Sequence, residues 1–424
     1  MNDFYRELTW RGFIHSETAG VEQHLRSGIR TGYIGFDPTA SSLHVGSLLP
    51  LMGLMHFQRG GHMPIAIAGG GTGMIGDPSG KSEERKLLSK EDIEANVVGI
   101  KQQLSHFLDF SAPSNPARLV NNADWLGTLT MMGFLRDIGK YFSVNEMIAK
   151  DSVKSRIAQE QGMSFTEFSY SLLQSYDFLE LSDRYGCTLQ MGGSDQWGNI
   201  VSGTDLIRRL RAREAYGVVF PLITTSSGVK FGKTESGTVW LDPARTSPYR
   251  FYQFWYNTDD RDVVRYLKFF TLLGEQEIGD LDASVKAEPH LRKAQTALAG
   301  YVTELVHGKD ALGRALQAKN ALFGKDLTDL GAADIVEIFE NVPSVDIPKT
   351  RFGGEGIPCT ELLVDAHIVP SKGEARRSIE GGGIYLNNVR VNDPARSVSM
   401  NDVLHGKFVV IRKGAKSYTL VRLQ

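Results

Sequence analysis

Residues 230–234 read KFGKT, two lysines either side of Phe-Gly, and follow the flexible polar stretch TTSSG. Lys230 and Lys233, with Thr234, make a mobile cationic clamp suited to charge developing on a leaving phosphate. Residues 35–47 read GFDPTASSLHVGS. Gly35 permits close backbone approach and Pro38 fixes a turn. Ser41 or Ser42 can cap a following helix, whose free N–H groups would attract phosphate. His44 and Ser47 then sit one turn apart, and Gly46 leaves room for a flat ligand. Pro50 removes a helical N–H and frees the Gly46 carbonyl.

Two further stretches carry polar groups in a line. In FTEFSYSLLQSYDFLEL, Tyr170, Gln174 and Asp177 fall within about 60° of each other at ~100° per residue. Phe165, Phe168, Leu172, Tyr176 and Leu179 take the opposite side. A solvated face normally carries Lys and Glu, so Tyr, Gln and Asp in a row point to a polar ligand. LQMGGSDQWGN (189–199) follows a strand-like run. There Gly192 and Gly193 allow backbone approach, and Asp195 and Gln196 offer an acceptor and an amide. A carboxylate at a strand C-terminus suits a ribose hydroxyl.

Two glycine motifs imitate nucleotide-binding fingerprints. Gly71–Gly76 satisfies G-x-G-x-x-G after a strand, but Asp77-Pro78-Ser79-Gly80 is turn chemistry, and no acidic residue ending a second strand follows about 20 residues on. A dinucleotide site is not expected. Gly80-Lys81-Ser82 resembles the end of a P-loop, yet the required earlier glycine is Ile75. What remains is a glycine-rich turn bringing Lys81 and Arg85 near phosphate.

The elements that must hold these groups alternate. TGYIGF, MPIAIAGG and CTLQMGG read as strands; SSLHVGSLLPLMGLMHFQRGG and EDIEANVVGIKQQLSHFLDF read as helices. This alternation predicts an α/β fold: a parallel sheet with helices on both faces and its ligand at the strand C-termini. From about Thr246 to Gly324 the pattern is helical, with Ala294, Leu298, Tyr301 and Leu305 on one face. VPSVDIPKTRFGGEGIP reads as a linker. Ser371–Glu374 has capping-box form, and GIYLNNVRVND predicts two strands around Asn387-Asn388.

Composition bounds the function. A chain of 424 residues implies two or three domains. No apolar run approaches the ~20 residues of a membrane span, and the N-terminus lacks a signal-peptide pattern. Two cysteines, Cys187 and Cys359, fit a reducing cytoplasm and argue against a cysteine zinc site. Residues 357–424 carry ten Lys/Arg and six Asp/Glu, a balance of +4. Against a net −2 for the whole chain this leaves −6 on residues 1–356. A basic tail on an acidic body suits a polyanionic partner.

Taken in series, GFDPTASSLHVG, GDPSGKSEER, NNADW, FLRDIGKYFSVN, SFTEFSY, LLQSYDF, GGSDQWGN and KFGKTESG resemble the bacterial tyrosyl-tRNA synthetase family of class I aminoacyl-tRNA synthetases. HVGS is similar to the HIGH signature and KFGKT to KMSKS; the tail is similar to a small RNA-binding domain. The resemblance implies a Rossmann-type catalytic domain over 1–225 that includes a dimer-interface insertion. A loop and helical domain over 226–345, a linker over 346–356 and an α+β RNA-binding domain over 357–424 follow. It also implies ATP as substrate, with Mg²⁺ bound to it, and L-tyrosine and tRNA-Tyr as partners of a cytoplasmic homodimer. MMGFLRDIGKYFSVNEMI would supply the dimer interface.

By the same resemblance Tyr33 and Asp177 would bind the tyrosine phenol, and Asp77, Tyr170 and Gln174 its amino group. Gln196 would lie near the carboxylate. Asp37, Gly192 and Asp195 would belong to the ATP site, Asp195 and Gly192 at the ribose. Thr39 and His44 would contact the γ-phosphate. Lys81, Arg85, Lys230, Lys233 and Thr234 would close over pyrophosphate. The family signature ends in a second histidine where this chain has Ser47. A non-catalytic RNA-binding protein is the alternative from another class, and the intact signatures weigh against it; the failed fingerprint weighs against an oxidoreductase.

Overall fold

The computed structural model describes residues 3–79, 88–158, 162–226, 228, 231–234, 237–321, 327, 330–340, 342–414 and 417–424. The chain divides into two compact units, 1–306 and 307–424.

The first unit is built on six strands: β1 (Ser16–Glu17), β2 (Thr31–Phe36), β3 (Met63–Ala68), β4 (Arg118–Asn121), β5 (Cys187–Gly193) and β6 (Tyr216–Phe220). Their order is β1-β6-β5-β2-β3-β4, parallel throughout except for the antiparallel edge strand β1. The chain runs outward from β2 through β3 to β4, and separately outward from β5 to β6. The topological switch therefore falls between β2 and β5, and a crevice opens there beyond Phe36 and Gly193. The strands are near-continuous apolar runs because both faces are covered: Ile65, Ala66, Ile67 and Ala68 are buried, as are Val218, Val219 and Phe220.

The helix after β2 begins later than its sequence pattern suggests. Val45–Ser47 form a 3₁₀ turn capped by His44, and the α-helix runs Leu48–Arg59. Neither Ser41 nor Ser42 caps it. The Ser42 hydroxyl instead donates to the Leu43 carbonyl and accepts from Gln103 Nε2 and the Asp242 N–H. Pro50 is then the third helical residue, in the turn where N–H groups lack an intrahelical acceptor, so its missing donor costs little. Ser89 caps helix Lys90–Phe107 and Ser164 caps helix Phe165–Tyr185 through their side chains. Gly71–Gly76 is a 3₁₀ turn, Thr72–Met74, and not a helix entry.

β7 (Lys233–Thr234) and β8 (Gly237–Thr238) form a small hairpin. Phe231, just before it, is buried in an aromatic cluster with Trp255, Tyr266 and Phe270, at ring-centroid distances of 5.6, 5.1 and 5.4 Å. Burial of one such side chain contributes about 1.5–3 kcal/mol, which anchors the KFGKT stretch to the helices that follow. Those helices span Pro248–Tyr256, Asp260–Phe270, Glu275–Ala287 and Lys293–His307.

The second unit contains helices Lys309–Ala321 and Ala332–Ile338 and a five-stranded sheet. The strands of this unit are β9 (Ser344–Ile347), β10 (Ile357–Pro358), β11 (Ile384–Leu386), β12 (Val389–Arg390), β13 (Ser397–Val398), β14 (Phe408–Lys413) and β15 (Ser417–Leu423). The sheet order is β12-β11-β14-β15-β9, and β10 pairs with β13 apart from it. Asn387 (φ 48°) and Asn388 (φ 65°) make the two-residue turn between β11 and β12, the left-handed pair that asparagine tolerates. Ser371 accepts from the Glu374 N–H and starts helix Lys372–Glu380. The sequence division into a helical domain to 345 and a linker over 346–356 differs here. Ser344–Ile347 is an edge strand parallel to β15, held by long-range pairing that no local periodicity announces.

Candidate active site at the sheet switch point

A cavity of about 320 Å³ opens at the switch point. Tyr33, Asp37, Thr39, His44 and Ser47 reach it from β2 and the segment after it. Asp77 enters from the turn after β3; Tyr170, Gln174 and Asp177 come from helix Phe165–Tyr185. Gly192, Asp195 and Gln196 arrive from the end of β5. Every predicted substrate residue from these segments lines one cavity. Of the predicted loop residues, Lys81, Arg85 and Lys230 lie outside the described residues, and Lys233 and Thr234 form β7.

The cavity floor is a continuous chain of hydrogen bonds. Trp125 Nε1 donates to Asp177 Oδ1 at 2.7 Å and Asn122 Nδ2 donates to Asp177 Oδ2 at 2.9 Å. Asn122 Nδ2 also reaches Thr72 Oγ1 at 2.9 Å, and the Thr72 hydroxyl donates to Asp37 Oδ1 at 2.9 Å. The Tyr170 hydroxyl closes the chain on Asp37 Oδ2 at 3.0 Å. Asp37, expected at ATP, therefore holds Tyr170 and Thr72 here. A second network joins Gln196 Nε2 to Asp77 Oδ2 at 2.6 Å, Gln174 Nε2 to Gln196 Oε1 at 3.2 Å, and Asn199 Nδ2 to Gln174 Oε1 at 3.0 Å. Both networks fix side-chain positions before any ligand arrives.

Two polar atoms on the cavity wall have no partner among the described residues. The Tyr33 hydroxyl is buried and unbonded, as is Gln190 Oε1. Burying such groups without partners is costly, and a polar ligand in the cavity would offset that cost. Burial pushes the Asp177 carboxyl up to about 7, against the lowering effect of Asn122 and Trp125. Burial, and next the charge of Asp177, raise the Tyr33 phenol well above its usual range and keep it a donor. The wall also carries Asp37, Asp77 and Asp195, with His44 the cation-capable group among its described lining residues. That imbalance suits an ammonium group inside the cavity.

His44 stands at the mouth. Its Nδ1 accepts the Gly46 N–H at 3.0 Å, so in the neutral imidazole the proton sits on Nε2. A Cβ on Gly46 would lie 2.7 Å from His44 Cε1, so glycine is required for the ring to fold back over the chain. Among the described residues no group of three His, Cys, Asp or Glu could hold a metal ion.

Sequence reasoning missed Gln190, Asn122, Trp125 and Thr72. Gln190 had a signal: one polar side chain inside an otherwise apolar strand. On the polar row of helix Phe165–Tyr185, Tyr170 and Asp177 are buried, at 5% and 3% exposure, and Gln174 is half-buried, while on the other side Leu172 and Leu179 are buried too and Phe165 is 73% exposed. A larger cavity of about 1570 Å³ is lined by Lys150, Trp197, Arg208 and Tyr216 among others, and of the predicted residues only Asp195 borders it. Lys150 Nζ, also buried without a partner among the described residues, borders this larger cavity, so what sets the smaller one apart is the convergence of the predicted side chains on it.

Residues 29–324 match the family model for class I tRNA synthetases (W and Y), and residues 334–421 match the C-terminal domain model of SYY-like tyrosine–tRNA ligases. The chain is 55% identical over 423 residues to the tyrosine–tRNA ligase of Roseiflexus castenholzii, covering 100% of both. It is 52% identical to that of Geobacillus stearothermophilus, with 99% of each covered. Among solved structures it resembles a C-terminally truncated mitochondrial tyrosyl-tRNA synthetase from Aspergillus nidulans. There the TM-score is 0.67 and the identity 32%, over 76% of this chain and 95% of that one.

Proposed function

The chain belongs to the tyrosine–tRNA ligases of the class I tRNA synthetase family, and we propose that its switch-point cavity performs the two steps of tyrosine charging as follows. The carboxylate oxygen of L-tyrosine attacks the α-phosphorus of ATP. The bond to the β-phosphate oxygen breaks, pyrophosphate leaves, and tyrosyl-adenylate remains bound. A hydroxyl of the 3′-terminal ribose of tRNA-Tyr then attacks the tyrosyl carbonyl, and AMP leaves. Neither step needs a covalent enzyme intermediate; positioning and charge stabilisation carry both.

The substrate phenol sits at the Asp177 end, donating to that carboxylate and accepting from Tyr33. The ammonium group lies among Asp77, Tyr170 and Gln174, with Asp37 orienting the Tyr170 hydroxyl. Gln196 stands by the substrate carboxylate. Asp195 and Gly192 take the ATP ribose, with Ser47 in place of the family's second histidine on the nucleotide side. Thr39 and His44 meet the γ-phosphate, and Lys81, Arg85, Lys230, Lys233 and Thr234 close on pyrophosphate. Mg²⁺ enters with ATP on its phosphates. The observation that carries this reading is the buried, unpartnered Tyr33 hydroxyl at the Asp177 end of the cavity. A phenol satisfies both groups at once.

The chain works as a cytoplasmic homodimer. Exposed Met131, Met132, Val144 and Phe165 supply the apolar surface for that pairing. The basic 357–424 segment holds tRNA. Purified full-length chain should attach labelled tyrosine to tRNA-Tyr; a folded protein that forms no tyrosyl-tRNA would overturn the reading.

A further inference from the structure

Beyond β8 the chain runs beside the His44 segment. The Val45 N–H donates to the Val239 carbonyl at 3.0 Å and the Leu241 N–H to the Leu43 carbonyl at 2.9 Å. Between them His44 and Trp240 form an antiparallel bridge. A Cβ on Gly232 would lie 2.7 Å from Val45 Cγ2, so the backbone at Gly232 rests directly on Val45 of HVGS. The seam is tied down from a third element. Gln103 Oε1 accepts the Leu43 N–H at 2.7 Å, and Gln103 Nε2 donates to Ser42 Oγ at 2.9 Å.

The His44 ring is bounded on two sides. Gly46 holds Nδ1 from within the loop, and the Trp240 indole meets the ring edge-to-face, centroids 6.2 Å apart at 71°. Trp240 is itself fixed. Its backbone N–H donates to Thr246 Oγ1 at 3.0 Å, and over the ring the Arg245 guanidinium carbon lies 3.5 Å from the indole centroid. Edge-to-face pairs and cation–π contacts are directional, so this pile selects one imidazole orientation. With Nδ1 occupied, that orientation determines where the Nε2 proton points.

We propose that Trp240, covered by Arg245, is a positioning residue for His44 in adenylate formation. It holds the imidazole so that Nε2–H donates to the phosphates of ATP. The proposal rests on the reading that His44 meets those phosphates. The pairing of residues 43–45 with 239–241 also makes the His44 orientation depend on the strand that leaves the Lys233–Thr234 hairpin.

The test is a double-mutant cycle read by tyrosine-dependent ATP–pyrophosphate exchange on the full chain. Trp240→Leu should lower kcat about 10-fold with the KM for tyrosine changed less than about twofold, and Trp240→Phe should recover most of the loss. In a His44→Ala background, Trp240→Leu should cost less than about twofold more. Equal losses in both backgrounds, or an unchanged kcat in Trp240→Leu, would overturn the positioning role. A His44→Ala enzyme with full kcat would instead sink the underlying reading of His44. Should Trp240→Leu lower the melting temperature too far to assay, Trp240→Phe and Arg245→Gln carry the same cycle, with a smaller kcat loss expected only where His44 is present.

Discussion

The Trp125 indole N–H donates to Asp177 Oδ1 at 2.7 Å, across a buried space that Asn122 closes from the other side. Burial nonetheless dominates and raises the carboxyl to about 7. An aspartate in the unfolded chain ionises near 4, so between these values the folded state binds the extra proton. Stability from this group is fully present below about pH 4 and is lost as pH rises through about 7. Asp177→Asn removes the titration. The stability gap between wild type and variant, measured by denaturant melts, should narrow from pH 5 to pH 8. A gap that widens with pH would mean that the fold favours the ionised carboxylate.

Tyr33→Phe separates folding from recognition. Its hydroxyl has no partner among the described residues, so its removal should leave the melting temperature of the free protein unchanged or raised. The same change should lower the ratio of kcat/KM for tyrosine over phenylalanine by about tenfold, the worth of one hydrogen bond to the substrate phenol. An unchanged ratio removes Tyr33 from the specificity site.

Lys233→Ala should lower kcat for pyrophosphate exchange by about 100-fold with little change in the KM for tyrosine, as expected of charge stabilisation in the transition state. A raised KM with kcat intact would assign the lysine to ground-state binding instead.

Removal of the second unit tests the division of labour along the chain. A protein ending at Val306 should keep tyrosine-dependent exchange and lose tRNA charging. Cutting at Ile357 instead would leave β9 without its partner β15 and expose a free strand edge. Binding of tRNA by the full chain should weaken as salt rises. Normal charging by the shorter protein would refute the assignment.

Much of this architecture was legible in sequence because it rests on local rules. The strands TGYIGF, MPIAIA and CTLQMGG, the capping serine at 371 and the Asn387-Asn388 turn are each specified by neighbouring residues. What escaped depends on distant partners. Ser42 lost its capping role to Gln103 and Asp242, far along the chain, so the helix begins at Leu48. β9 exists because β15 lies beside it. The row Tyr170, Gln174 and Asp177 was visible from helical spacing, but the burial of Tyr170 and Asp177 was not. Nor were the partners Asn122 and Thr72, which enter from other strand ends. Phe165 points away from the core despite its apolar character, a placement that periodicity alone cannot distinguish from packing.

The most direct measurement is amino-acid-dependent ATP–pyrophosphate exchange with purified full-length chain, comparing tyrosine, phenylalanine and tryptophan at equal concentration. The account predicts rapid exchange with tyrosine and near-background exchange with the other two, because only tyrosine pairs the Tyr33 hydroxyl and the Asp177 carboxylate. Comparable exchange with tryptophan or phenylalanine, or none with tyrosine, would contradict it.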